Sequence, residues 1–521
     1  MRDRLLSPFR MLSSLSLLLV FVGIGCTKNY SERNTDPTRI TDLSTGDIKG
    51  LFTNAEYMAM YAGDNSAEYQ YAQGFVGDVY SQFTAITATF DPTDRYNIEQ
   101  SWMQEQWIAT YIKSLPPLVA ILNATNSEPD DKALYSIARV WKAFIMHRAT
   151  DLYGPVPYSQ IGADSTVVLY DSQESIYMDL FKELHEAVAD LKANISLPSF
   201  GSQDLIYNGD NNEWVKFANT LRLRLALRIS GVEPAMAQQE AEAAVADGVM
   251  TDLSDDAYLP SSTVNYNGYC RQSGWNEFRM SSAMESVLVG YNDPRLPKIW
   301  QPALNTGTYE GVRNGMNVAE ISLDENGPDN NSQNTDYLLP ESQSTTPNTV
   351  MRTAEAYFLR AEGALNGWNM GGTAEEFYKK GIEMSFRTWG INNAGVIDNY
   401  INSMAVPIAP GGYFNTPALT DIPVKFSSDP AKQREQIQQQ KWIALFPDGE
   451  EAWSSMRATG FPKRYPLIHS DNPAVPADSM IRRIPFLDYD RDRNGAAVEA
   501  AASLLRGPDN AGTRLWWDVR P

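Results

Sequence analysis

Apolar side chains recur at three- and four-residue spacing along most of the chain from about residue 47, a period that only helices with one buried stripe satisfy. The clearest instance opens at Pro129-Asp130-Asp131 and runs through Leu134, Ile137, Trp141, Phe144, Ile145 and Arg148. It stops before Tyr153-Gly154-Pro155-Val156-Pro157, because two prolines and a glycine cannot continue a helix. Residues 99–125 carry Trp102, Trp107, Tyr111, Leu115 and Leu118, with Pro116-Pro117 expected to break or kink the run. Asp171 followed by Glu174 fits a capping start for a stripe of Ile176, Leu180, Leu184, Ala187, Val188 and Leu191. Over 211–229, Trp214, Phe217, Leu221 and Leu225 face one way, with Arg222 and Arg228 expected elsewhere. The alanine- and glutamate-rich residues 233–247 form a further helix on propensity.

Between about 251 and 347 the pattern changes to acidic turns, Gly, Pro, Asn and scattered aromatics, with one short helical run near 280–289. So long a stretch without long periodic elements suits a ligand or partner face better than a linker. Periodicity then resumes. Ala354, Tyr357, Phe358, Ala361, Ala364 and Leu365 form one stripe, and after Gly371-Gly372-Thr373 the residues Phe377, Tyr378, Ile382, Ser385, Phe386 and Trp389 form the next. Residues 431–446 and 494–505 add helices, the second starting at Asn494. Helical hairpins with small residues at close approaches resemble tetratricopeptide units, although no clean repeat of about 34 residues runs along the chain. The fold class expected is mainly α, a tetratricopeptide-like scaffold of helical pairs with a long loop-rich insertion.

The first residues read as an export signal. Arg2, Arg4 and Arg10 precede an apolar run of Leu12, Leu15, Leu17, Leu18, Leu19, Val20, Phe21 and Val22 that ends in Gly23-Ile24-Gly25-Cys26. The run is short for a bilayer span, and a cysteine directly after small residues favours cleavage before Cys26 and acylation of its thiol. A buried CH2 contributes about 0.8 kcal/mol, so stable anchoring needs more than one acyl chain. Cys26 and Cys270 are the only cysteines; with the first lipidated, no intrachain disulfide supports the fold. Cleavage removes three arginines and Asp3, which takes the formal charge from −21 to −23. So acidic a chain repels nucleic acid and anionic membrane surfaces, and a neutral ligand or a large docking partner suits it better.

Enzyme chemistry finds little support. His147, His185 and His469 are far apart and lack zinc-site spacing, and His147 reads as structural. Cys270 has no histidine nearby in sequence, and neither a Gly-x-Ser-x-Gly elbow nor a phosphate loop is present. A glycoside hydrolase needs only two carboxylates, and Asp78, Asp151, Glu277, Asp293 and Glu355 are nominees whose separations sequence does not give. Asp324, Glu325, Asn326, Gly327 and Asp329 lack the spacing of a calcium loop and read as an acidic turn. The loop-rich segment offers another device, since Tyr266-Asn267-Gly268-Tyr269 and Trp275-Asn276 set flat rings beside amides. Tyr266, Tyr269 and Trp275 are therefore the candidate ligand-binding residues for a carbohydrate or a peptide, with pinning of the loop to the helical body as the competing role. Tyr80, Phe83 and Trp102 are secondary candidates.

Several short motifs stand in a telling order. Asn34-Thr35-Asp36-Pro37 follows Cys26, Arg148-Ala149-Thr150-Asp151-Leu152-Tyr153-Gly154-Pro155-Val156-Pro157-Tyr158 ends a helix, and Thr353-Ala354-Glu355-Ala356-Tyr357-Phe358-Leu359-Arg360-Ala361-Glu362 forms a later one. Then come Lys441-Trp442-Ile443-Ala444-Leu445-Phe446, Glu451-Ala452-Trp453, Arg457-Ala458-Thr459-Gly460-Phe461-Pro462 and Arg483-Ile484-Pro485-Phe486. In this order the chain resembles the SusD/RagB family of nutrient-binding outer-membrane lipoproteins. The resemblance implies a SusD-like helical fold acting as a lid or dock on a SusC-like TonB-dependent outer-membrane channel, delivering a glycan or another nutrient without cleaving it. The expected organisation is a signal peptide over 1–25, a lipidated tether over 26–46, a helical domain over 47–505 that includes 251–347, and a packed tail over 506–521. The resemblance also implies an outer-membrane, cell-surface location through Cys26, and the residues and charge lead to no expected catalytic residue, cofactor, metal or nucleic-acid partner. A channel lid with little affinity of its own, a peptide-binding subunit and a carboxylate-based glycoside hydrolase are the alternatives.

Overall fold

The computed structural model describes residues 44–63, 66–163 and 167–520; the expected signal segment, Cys26 and Asn34-Thr35-Asp36-Pro37 lie outside them. The described chain is mostly helical. Its longer helices are α1 (Thr45–Ala59), α2 (Lys132–Tyr153), α3 (Gln173–Ala193), α4 (Asn211–Ile229), α5 (Pro234–Asp247), α6 (Thr353–Leu365), α7 (Ala374–Thr388), α8 (Pro430–Leu445), α9 (Gly449–Thr459) and α10 (Asp488–Ala502). They associate as the tetratricopeptide-like pairs α2 with α3, α4 with α5, α6 with α7 and α8 with α9. Small residues set the close approaches. In α7 a Cβ on Gly381 would come within 2.8 Å of the Phe358 ring of α6, and one on Gly77 would meet the backbone of Glu450 at 2.4 Å.

Local signals explain most boundaries. Thr373 and Glu376 form a capping box at the start of α7. Asp210 caps α4 by accepting from the Asn212 amide at 2.8 Å. At α3 the cap is Ser172, which accepts from the Ser175 amide at 3.1 Å, and not Asp171. Asp171 instead takes the amide of Ser159 at 2.7 Å, because it sits in a strand pair before the helix. Pro116 and Pro117 do not end a helix either. They lie in the first turn of Leu115–Thr125, where a missing N–H costs nothing, and a wide π turn over Ile108–Ser114 joins this helix to Gln100–Trp107. The last helix starts at Asp488, with non-helical backbone at Asn494, so the expected start at Asn494 marks a kink.

Helix α4 departs from the expectation that Arg222 and Arg228 lie off its buried face. It packs against α2, α3, α5, α6 and α9, so no side of its C-terminal half reaches solvent. The charges are paired instead. Arg222 meets Glu240 at 2.5 Å, Arg224 grips Glu355 through two bonds of 2.7 and 2.6 Å, and Arg228 holds Glu451 at 2.6 Å. Burial alone would raise the Glu451 carboxyl, but Arg228 and Arg224 outweigh it and hold it below its ordinary range. His147 is buried beside this network, with its imidazole kept neutral by burial and by Arg224, Arg148 and Arg228.

Strands are few and short among the described residues. β1 (Thr84–Ile86) pairs antiparallel with β5 (Phe278–Met280), β2 (Val156–Pro157) with β3 (Tyr170–Asp171), and β4 (Ala257–Leu259) with β6 (Asn348–Met351). The segment 251–347 is loop-rich as expected, and a small cluster of Ala85, Val312, Met316 and Ile321 packs beneath part of it. Near the C-terminus the Trp517 ring is buried, and its Nε1 donates to Asp151 Oδ1 at 2.8 Å. The Tyr177 hydroxyl donates to the same oxygen at 2.6 Å, so Asp151 ties the end of α2 to α3 and to the tail.

Candidate ligand-binding face

The β1–β5 pair builds the site. Its ladder continues one residue further, where the Thr87 amide donates to the Glu277 carbonyl at 2.8 Å and Thr87 Oγ1 to the Asn276 carbonyl at 3.0 Å. Just beyond this point one segment carries Phe90 and the other Trp275. Phe90 is 59% exposed and Trp275 is half-buried. Asn276 takes a left-handed backbone at φ +61°, and its Oδ1 accepts from Arg279 at 2.7 Å, which fixes the turn behind Trp275.

A second group of rings adjoins this edge. Tyr71, in the wide π turn Gln70–Asp78, stacks on Trp102 with centroids 5.3 Å apart and planes 11° from parallel. Trp102 contacts Phe75 at 5.1 Å, and Phe75 contacts Phe278 of β5 at 5.5 Å. Gln70 Nε2 donates to Glu277 Oε2, which joins the helix carrying Tyr71 to the strand end carrying Trp275. Tyr71 and Trp102 are half-buried, so the pair is fixed by packing while part of each ring stays open. Partial burial raises the Glu277 carboxyl, and Gln70 opposes that shift. The result is a set of rigid apolar faces edged by an amide, a carboxylate and backbone carbonyls, which suits a ligand with flat apolar faces and hydroxyl edges.

The three candidate residues separate. Trp275 stands at this edge. Tyr266 is 8% exposed, with its ring beside the Arg271 guanidinium at 5.8 Å. Tyr269 is 2% exposed, set edge-on to Tyr69 and Phe446, with its hydroxyl donating to Asn334 Oδ1 at 3.2 Å. Neither tyrosine turns a ring face to solvent. Of the secondary candidates, Tyr80 and Phe83 are interior and Trp102 belongs to the open ring pair. Tyr71 and Phe90 escaped the sequence reading. An aromatic inside a helical run reads as core, and a lone phenylalanine before Asp91-Pro92 carries no pattern.

The nominated carboxylates also separate. Asp151 is committed to Tyr177 and Trp517, Asp293 pairs with Arg295 at 2.6 Å and Glu355 with Arg224, all in the interior. Asp78 is buried, and burial, with Asp448 and Glu450 adding to it, pushes its carboxyl well above the ordinary range. Glu277 alone of the five lies at the ring edge. Burial pushes the Cys270 thiol up to about 12, far from the thiolate a nucleophile needs. Among the described residues no group of three or more His, Cys, Asp and Glu side chains is arranged to hold a metal ion.

A family model for SusD-like proteins, the SusD and RagB outer membrane lipoproteins, matches residues 32–518. The chain belongs to the SusD-like family. Solved SusD-like structures agree over nearly their whole length. A chitin-binding SusD homologue from Flavobacterium johnsoniae is 35% identical, with a TM-score of 0.84 over 91% of this chain and 99% of that one. A SusD homologue from Bacteroides vulgatus is 30% identical (TM-score 0.83) and a SusD-like protein from Bacteroides thetaiotaomicron 33% identical (TM-score 0.80), each over 91% of this chain and 99% of the other. No match was found among curated proteins. The SusD-like assignment accounts for the tetratricopeptide-like pairs and for the order of the sequence motifs. Among the described residues no helix is long and apolar enough to cross a membrane.

Proposed function

We propose that this SusD-like chain is a non-enzymatic nutrient-binding subunit that takes a glycan on the face formed by Tyr71, Trp102 and Trp275. The observation that carries the reading is the stacked, half-open Tyr71–Trp102 pair joined through Gln70 and Glu277 to the strand end that bears Trp275. Rings held at fixed spacing by packing bind a sugar's apolar face with little loss of side-chain entropy. Tyr266 and Tyr269 support the loop from beneath. The chitin-binding relative makes N-acetylglucosamine oligomers the first ligand to try.

Delivery to a SusC-like TonB-dependent outer-membrane transporter, and attachment through acyl chains on Cys26 at the cell surface, complete the proposal. The family description as outer membrane lipoproteins supports the acyl anchor. The experiment is a calorimetric titration of the purified protein with chitooligosaccharides, followed by assay of the mixture for new reducing ends. Saturable binding that falls at least tenfold in Trp102→Ala and in Trp275→Ala, with no new reducing ends, supports the reading. Undiminished binding in both variants removes the face, and cleavage of the oligomer turns the reading into an enzyme.

A further inference from the structure

A separate cavity shares no lining residue with that face. It has a volume of about 410 Å3, within the roughly 300–1,000 Å3 of small-molecule sites, and is formed by the turn after residue 303, the acidic turn 324–331 and the hairpin tip 410–416. Three observations fix its chemistry. The first is Glu285, whose side chain lines the cavity although the residue is only 5% exposed. One carboxyl oxygen, Oε2, accepts from the Gly311 amide at 2.7 Å, while Oε1 has no bonding partner among the described residues. That oxygen is not among the side-chain atoms sealed from solvent without a partner, so a donor entering the cavity can reach it.

The second observation is an excess of acceptors. Asn326 donates one Nδ2 hydrogen to the Glu320 carbonyl at 2.9 Å and Asn331 one of its own to the Gly327 carbonyl at 2.8 Å, which holds both amides in place with their oxygens unused. Glu310 and Glu325 add two more carboxylates. Arg313, the one cation among the described lining residues, donates to the Pro466 carbonyl at 2.7 Å and to Thr416 Oγ1 at 3.5 Å and lies over the Tyr465 ring at 4.8 Å, with its Nε left without a partner. Three carboxylates against one guanidinium leave the wall net negative, which favours a donor-rich, positively charged ligand group. The third observation is a ring. Tyr413 is 53% exposed and stands edge-on to Phe414 at 4.8 Å, and Phe414 packs on the cluster of Ala85, Val312, Met316 and Ile321. The hairpin tip that carries both rings is closed by Gly411 and Thr416, which exchange backbone bonds of 3.0 and 2.7 Å.

We propose that this cavity is a second ligand site that takes an amino sugar, with its protonated amine against Glu285 and Glu310 and its ring against Tyr413. An ammonium group supplies three donors to the unfilled oxygens, the hydroxyls meet Asn326 and Asn331, and the half-exposed ring covers the apolar face. A linear amine such as a lysine side chain would use the carboxylates and leave the amides and the ring unused. Burial, with Glu310 adding to it, pushes the unliganded Glu285 carboxyl up to about 8, so an arriving ammonium displaces its proton and leaves an ion pair.

The test is a calorimetric titration of the purified protein with a glucosamine trimer bearing unsubstituted amines, the N-acetylglucosamine trimer and trilysine. Wild type binds the glucosamine trimer. Glu285→Gln lowers that affinity at least tenfold and leaves the affinity for the N-acetylated trimer as it was. Glu310→Gln, at a less buried position, gives a smaller loss in the same direction and serves if Glu285→Gln folds poorly. Absence of glucosamine binding in wild type, or binding unchanged in both variants, overturns the proposal. So does trilysine binding with equal affinity and equal dependence on Glu285. Failure of the Trp102 and Trp275 variants to affect the N-acetylated trimer bears on the other face alone.

Discussion

Trp275 and Tyr269 stand six positions apart and are expected to fail in opposite ways. Trp275 is half-buried at the ring edge, so Trp275→Ala is expected to reduce glycan affinity at least tenfold and to move the melting temperature little. Tyr269 is interior, so Tyr269→Ala is expected to lose about 3–5 kcal/mol of stability, read by chemical denaturation. Asp91 makes a second expectation. Burial raises its carboxyl to about 7, well above its unfolded value of 3.8. The folded chain then keeps a proton that the unfolded chain has released, and stability falls as pH rises from about 4 to about 7. In Asp91→Asn the amide oxygen can still accept from the Thr93 amide, which lies 2.8 Å from Asp91 Oδ1. The variant is expected to melt above wild type at pH 8, with the gap closing toward pH 4.

At the scale of elements, α4 is held by charge pairs that link it to α6 and α9. Arg224→Ala strands Glu355 and brings Glu451 one cation short, and is expected to cost about 3–5 kcal/mol in denaturant unfolding. These pairs also show where sequence reading stops. Periodicity revealed α2, α3, α4, α6 and α7, because each has a stripe of apolar residues long enough to declare a period. It set Arg222 and Arg228 apart from the buried stripe, since a charge without a visible partner is assigned to solvent, and the partners lie on other helices. Helix α9 escaped notice as a helix because it is short and buried all round, leaving no polar face to contrast with an apolar one. The site was half legible for a similar reason. Trp275 stood out as a large ring in a segment without helical period, whereas Tyr71 sits in a helical run and is joined to Trp275's strand end by the Gln70–Glu277 bond and by Phe75, which packs on a three-residue strand. Strands that short leave no alternation in the sequence.

For the whole molecule, membership of the SusD-like family supports the proposed subunit that collects sugars and passes them on. Its proposed anchor at the membrane is Cys26. Metabolic labelling with a tagged fatty acid is expected to mark the wild-type chain and not Cys26→Ser, and equal labelling would remove the anchor. Capture of glycan on the Tyr71–Trp102–Trp275 face is the claim on which the rest depends. A crystal structure of the protein grown with a chitooligosaccharide tests it most directly. Sugar rings are expected to lie across Tyr71, Trp102 and Trp275 with Glu277 at their edge. A bound oligomer that touches none of these three rings would contradict it.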